Sequence, residues 1–119
     1  MKFKINNTEW TIEEKDEATI NNEVKGEGTL GLTIYKTQKI MLLKDQANII
    51  KTLKHELTHV WLYEYGHNQS EKEFNNENVC EIVASSNDFI NEIVEQYNSY
   101  GLKKQLANIG ETINIISTK

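Results

Sequence analysis

The hydrophobic pattern of this chain changes period near residue 45, and that change restricts the fold more than any other feature. Up to residue 44, apolar residues alternate with polar ones. Phe3 and Ile5, then Trp10 and Ile12, flank an Asn6-Asn7 turn signal. Leu30, Leu32 and Ile34 alternate again, and Ile40-Met41-Leu42-Leu43 is a short apolar run, with Lys36 to Lys39 as the turn between them. Alternation of this kind marks strands. From residue 46 to 65 the spacing becomes helical: Ile49, Ile50, Leu53, Leu57, Val60 and Trp61 form an i, i+3, i+4 stripe. Strands first and helices after predict an α+β fold: a small antiparallel β-meander of three or four strands, then this helix, then a second long helix. The 119 residues suit one domain, 1–119, with a modest core and no disulfide staples. The acidic stretch 15–28, ending in Gly26-Glu27-Gly28, is expected to be a loop or a frayed segment.

The first helix carries a second pattern on another face. Residues 55 to 59 read His-Glu-Leu-Thr-His. At about 100° per residue, His55 and His59 stack on one side, in line with Asn48 and Thr52 and away from Leu53. Two imidazoles so placed can grip one metal ion, and Glu56 lies where its carboxylate reaches a water on that ion. This is the H-E-x-x-H arrangement of zinc peptidases, two ligands and a general base in five residues. Asp45 is the expected N-cap, and Gly66 fits the C-terminal end.

A catalytic zinc takes three protein ligands and keeps one position for water. The third must come from elsewhere. His67, the only other histidine, follows in an expected loop, and the short metzincin spacing falls on Tyr65. Carboxylates on the second helix are better candidates. Ser70-Glu71-Lys72-Glu73 fits a capping box for that helix, and Val79 to Tyr97 carry its period to about residue 98. Glu77 and Glu81 share a face within an apolar stretch read as buried, where each needs a partner. A metal for Glu77 and a histidine N–H for Glu81 satisfy both. Cys80 reads as a small core residue. Tyr63 leans toward the histidines and is a candidate donor to an oxyanion or substrate. Residues 101–109 suggest a short helix closed by Gly110, and Ile113, Ile115 and Ile116 a last strand.

His55-Glu-Leu-Thr-His59, followed by Glu77-x-x-Cys80-Glu81-x-Val83-Ala84, resembles the gluzincin branch of the zincin-like metallopeptidases. Within it, the likeness is closest to small phage- and mobile-element-associated ImmA/IrrE-type peptidases, over roughly residues 30–95. The resemblance implies a minimal zincin-like core, one Zn²⁺ per chain, Glu77 as third ligand, and Glu81 as the group that orients a ligand histidine. Position 81 is Glu where the family usually has Asp or Asn, so those two roles are open to exchange. The family's downstream proline is absent, as is a DNA-binding helix pair. In zincins the edge strand beside the metal helix pairs with the substrate backbone, which here implies Lys39–Leu43.

The expected activity is zinc-dependent hydrolysis of a peptide bond in a protein or peptide substrate, with Glu56 as general base on a zinc-bound water. A regulator encoded nearby is one candidate substrate. The alternative is a non-catalytic, metal-stabilised protein-binding module of a phage or mobile element. A net charge of −5 argues against a nucleic-acid partner. No apolar run approaches a membrane span, the polar N-terminus lacks a signal peptide's apolar core, and one cysteine makes no internal disulfide, so a cytoplasmic location is expected. Thirteen Lys with no Arg, beside 14 Asn and 14 Ile, fit an AT-rich genome, such as that of a low-GC bacterium or its phage.

Overall fold

The computed structural model describes residues 1–26, 28–66 and 75–117, of which 111–117 are described as backbone alone. Four strands come first: β1 (Lys2–Ile5), β2 (Thr8–Lys15), β3 (Gly31–Ile34) and β4 (Lys39–Leu43). Three helices complete the α+β fold: α1 (Glu17–Val24), α2 (Ile49–Glu64) and α3 (Asn76–Ser117).

Asn6 and Asn7 close the β1–β2 hairpin with positive φ at both positions (50° and 62°). Asparagine tolerates that conformation, and such a turn matches the twist of the strands it joins. The β3–β4 hairpin turns through Tyr35–Gln38, with Gln38 at φ 56°.

These pairs are antiparallel, but the sheet is mixed and not a simple meander. Its order is β1-β2-β4-β3, and β2 runs parallel to β4. The reason lies in residues 17–24, which form a helix in place of the expected loop. Asp16 caps α1 by accepting from the Thr19 N–H at 2.8 Å. A crossover element lets the chain pass over β4's place before β3 begins. With Ile20 as its one buried residue, α1 shows no apolar period to read.

The register sorts the side chains by face. Phe3 lies opposite Trp10, Ile12 beside Ile40, Thr33 opposite Ile40 and Gly31 opposite Leu42. This face meets Leu53, Leu57, Val60 and Trp61 of α2 and Ile82, Ile93 and Val94 of α3 in one core. Each fully buried aliphatic side chain there contributes about 1.5–3 kcal/mol.

α2 begins at Ile49, capped by Asn48, whose side chain accepts from the Lys51 N–H; the expected cap, Asp45, lies in the preceding loop. Gly66 follows the helix at φ 76°, the left-handed position that favours glycine. His67 and the Ser70–Glu73 capping box lie outside the described residues. Asn75 accepts from the Asn78 N–H at 2.9 Å at the start of α3.

α3 is one helix of 42 residues, where a helix to about residue 98, a short helix at 101–109 closed by Gly110 and a last strand at Ile113, Ile115 and Ile116 were expected. Neither Gly101 nor Gly110 has a positive φ, so neither acts as a cap. A glycine inside a helix costs about 1 kcal/mol, which a long helix tolerates. Beyond Tyr97 the helix leaves the core, and Leu102, Leu106 and Ile109 are exposed. At about 1.5 Å per residue α3 spans about 63 Å, which accounts for the 64 Å long dimension of the molecule. No helix among the described residues is long and apolar enough to cross a membrane.

Candidate metal centre

The apolar stripe of α2 fixes how the helix lies on the sheet, and that in turn aims the other faces. Both ends of the helix are pinned. At the start, the Gln46 amide donates to the carbonyls of Leu30 (2.9 Å) and Leu43 (2.8 Å) and accepts from the Thr52 hydroxyl. At the end, Trp10 donates through Nε1 to Glu64, and Asn6 donates to the Glu64 carbonyl.

On the helix so held, His55, Glu56 and His59 each present one donor atom, all within 4.8 Å of one another. The two Nε2 atoms lie 3.2 Å apart. Two imidazoles on one tetrahedral zinc, with Zn–N of about 2.0–2.1 Å, place their nitrogens about 3.3 Å apart. The pair therefore has the spacing a shared ion requires. His55 is exposed and His59 half-buried.

Glu56 turns inward under β3 and is only 5% exposed. Its Oε2 is buried with no hydrogen-bond partner among the described residues. Burial pushes its carboxyl above the usual carboxylate range, partly offset by His55 and then by the Thr33 hydroxyl. The same hydroxyl lies 3.5 Å from the Glu56 carbonyl oxygen. Burial, and then the neighbouring His55, hold the His59 imidazole below the usual histidine range, which keeps its lone pair available. A cation beside these groups supplies what Glu56 lacks and suits a neutral His59. The residues present thus fit a divalent metal.

The cluster opens on a cleft of about 770 Å³ lined in part by Leu30, Gly31, Gln46, Lys51, His55 and Glu56. β3 forms its wall. Leu43 donates to the Leu30 carbonyl at 2.8 Å, so Leu30, Leu32 and Ile34 aim their backbone groups at β4. The N–H and C=O of Gly31 and Thr33 point out of the sheet edge instead. The free edge beside the histidines is therefore β3. Lys39–Leu43, the strand implied by resemblance, lies between β2 and β3 with both edges engaged.

The carboxylates of α3 stand apart from this group. Glu77 and Glu81 are exposed, and the stretch around them is not the buried one expected: Val79, Cys80 and Val83 are exposed as well. The buried positions are Ile82 and Ser86, and the Ser86 hydroxyl donates to the Ile82 carbonyl at 2.7 Å. Glu81 accepts from the Ser85 hydroxyl at 3.2 Å. Among the described residues the metal-ligating group holds His55, Glu56 and His59 and neither α3 glutamate. Tyr63 stacks its ring on Tyr35, with centroids 4.7 Å apart, and meets Trp10 edge-on.

Gly31, Thr33 and Gln46 complete the surroundings of Glu56 and went unnoticed in the sequence. One signal was there: a glycine inside an alternating strand marks a place where another element comes close.

No protein-family model, curated protein or solved structure matches this chain.

Proposed function

We propose that this protein is a zinc-dependent metallopeptidase that cleaves a protein or peptide substrate held along β3. One observation carries the reading: two imidazole nitrogens at metal-sharing distance stand within 4.8 Å of a carboxylate oxygen of the buried Glu56, beside an open cleft.

His55 and His59 would hold the ion; the third ligand that the resemblance implies is Glu77, which stands apart from the pair here and would have to approach it when metal binds. The resemblance implies that Glu81 orients a ligand histidine, with the two roles open to exchange. When bound, zinc lowers the pKa of water toward about 7 and polarises a carbonyl. Glu56 would take the proton of the attacking water on its carboxylate, then pass it to the leaving amine. The outward N–H and C=O of Gly31 and Thr33 pair with the substrate backbone, and such pairing tolerates many sequences. Tyr63, one turn beyond His59, is the side chain proposed to donate to the developing oxyanion.

Zinc content of the purified chain, beside Glu77→Ala and Glu81→Ala, tests the site, and cleavage of fluorescent casein tests the activity. One zinc per chain, lost mainly in Glu77→Ala, with casein cleavage lost in Glu56→Gln, is expected. Absence of zinc after metal is supplied overturns the reading.

A further inference from the structure

Of the six glycines in the chain, Gly31 alone has no room for a side chain. A Cβ built there falls 2.5 Å from Thr52 Cγ2, 3.2 Å from Glu56 Cγ and 3.5 Å from Glu56 Cδ. At Gly28, Gly66, Gly101 and Gly110 nothing lies within 4 Å, and at Gly26 the nearest atom is at 3.9 Å. The backbone does not explain the glycine, because Gly31 is not among the residues with positive φ. The space does. β3 approaches α2 so closely at this point that the Glu56 side chain lies in the position a Cβ would press upon. Thr33, two residues on and on the same face, completes the contact with its hydroxyl near the Glu56 carbonyl.

We propose that Gly31 is a positioning residue for Glu56: its missing side chain lets the edge strand close on α2 and seats the carboxylate beside the His55–His59 pair. This rests on the metallopeptidase reading above. The consequence is specific. A methyl group at position 31 meets Thr52 and Glu56, which own the three nearest atoms, before either histidine, and displaces the base. Metal binding and proton transfer thus rest on different contacts, and the side-chain space at position 31 bears on the second. The Glu56 Cγ at 3.2 Å must give by a few tenths of an ångström, and since a full ångström costs about 10²-fold in rate, a loss of about 3–5-fold follows.

Gly31→Ala also presses on the Thr52 methyl, so the deciding variant is Gly31→Ala combined with Thr52→Ser. Serine removes Cγ2 and keeps the hydroxyl that Gln46 accepts from. It is compared with Thr52→Ser alone, Glu56→Gln and wild type. Three readouts are taken: zinc per chain, the visible absorption of the Co²⁺-loaded protein, and casein cleavage. The double variant is expected to keep one metal per chain. Its Co²⁺ spectrum should move toward that of Glu56→Gln, and kcat should fall about 3–5-fold. A double variant with the spectrum and rate of Thr52→Ser overturns the role of Gly31 and leaves the peptidase reading intact. A wild-type chain that takes up neither metal overturns both.

Discussion

Trp10 donates through its indole Nε1 to Oε1 of Glu64 at 2.8 Å, a bond between residues 54 apart that ties the β1–β2 hairpin to the last turn of α2. Trp10 is fully buried and meets Tyr35 and Tyr63 edge-on. A hydrogen bond to a charged group contributes about 1.5–3 kcal/mol. Trp10→Phe keeps an aromatic ring and loses the donor. It should destabilise the fold by about 2–3 kcal/mol, read as a lower urea midpoint with an unchanged slope. A variant that melts with wild type would remove this bond from the forces that hold α2.

Removal of either histidine should weaken zinc binding by more than about 100-fold, beyond the loss typical of an outer partner. Glu56→Gln should bind zinc as wild type does, because neither imidazole is altered, and lose about 10²–10⁴-fold in hydrolysis. Competition with a chromophoric chelator measures the first effect and casein turnover the second. Casein cleavage at the wild-type rate by Glu56→Gln would remove the glutamate from the reaction.

The metal-free protein should respond to pH through two groups of opposite sign. Glu56 is raised in the fold, so its contribution is present below the unfolded value of 4.5 and lost as pH rises through the raised value. His59 is lowered, so its contribution is present above 6.5 and lost as pH falls through the lowered value. With EDTA present, the decline in urea midpoint on the alkaline side of pH 4.5 should flatten in Glu56→Gln. Saturating Zn²⁺ should reverse the wild-type trend, since the ion prefers an ionised Glu56 and a neutral His59. Identical slopes in wild type and Glu56→Gln would locate the pH dependence elsewhere.

Tyr97 is half-buried on α3 and bonds to Glu14 of β2, and its phenol is pushed up to about 12 by burial first and by Glu14 second. A raised group favours the fold while protonated. Stability from Tyr97 is therefore present below pH 10 and lost as pH rises through about 12. Tyr97→Phe should unfold less steeply with alkali over that range. Ultraviolet titration of the phenolate, wild type against variant, gives an independent check.

Gly101→Ala should raise the melting temperature. The position is helical, its φ is not positive, and an added methyl meets nothing within 4 Å. The gain is about 0.5–1 kcal/mol, partly from the unfolded chain. An unchanged or lower melting temperature would show that α3 beyond the core does not unfold with the rest.

Much of this architecture was legible in local pattern. The two-residue Asn6-Asn7 turn, the strands on either side, the stripe from Ile49 to Trp61 and the stacked His55 and His59 all follow from spacing between near neighbours. Spacing of that kind is a property of the strand or helix itself. α1 was not legible, because a helix that buries one residue carries no period. Gly110 misled, because glycine marks a helix end only where the chain must turn left-handed, and here it does not.

What the sequence determined alone was therefore local: element type, and the two histidines and glutamate that one helix turn brings together. The tertiary structure decided everything that depends on how elements meet. It made β3 and not β4 the free edge, because the α1 crossover lets β4 enter between β2 and β3. It buried Glu56 and left Glu77 and Glu81 exposed, because the core claims Ile82 and Ser86 of α3 and turns the carboxylates away. It also gave Gly31 its meaning: the clearance between a strand and a helix is set by the packing of both, and no spacing within either one encodes it.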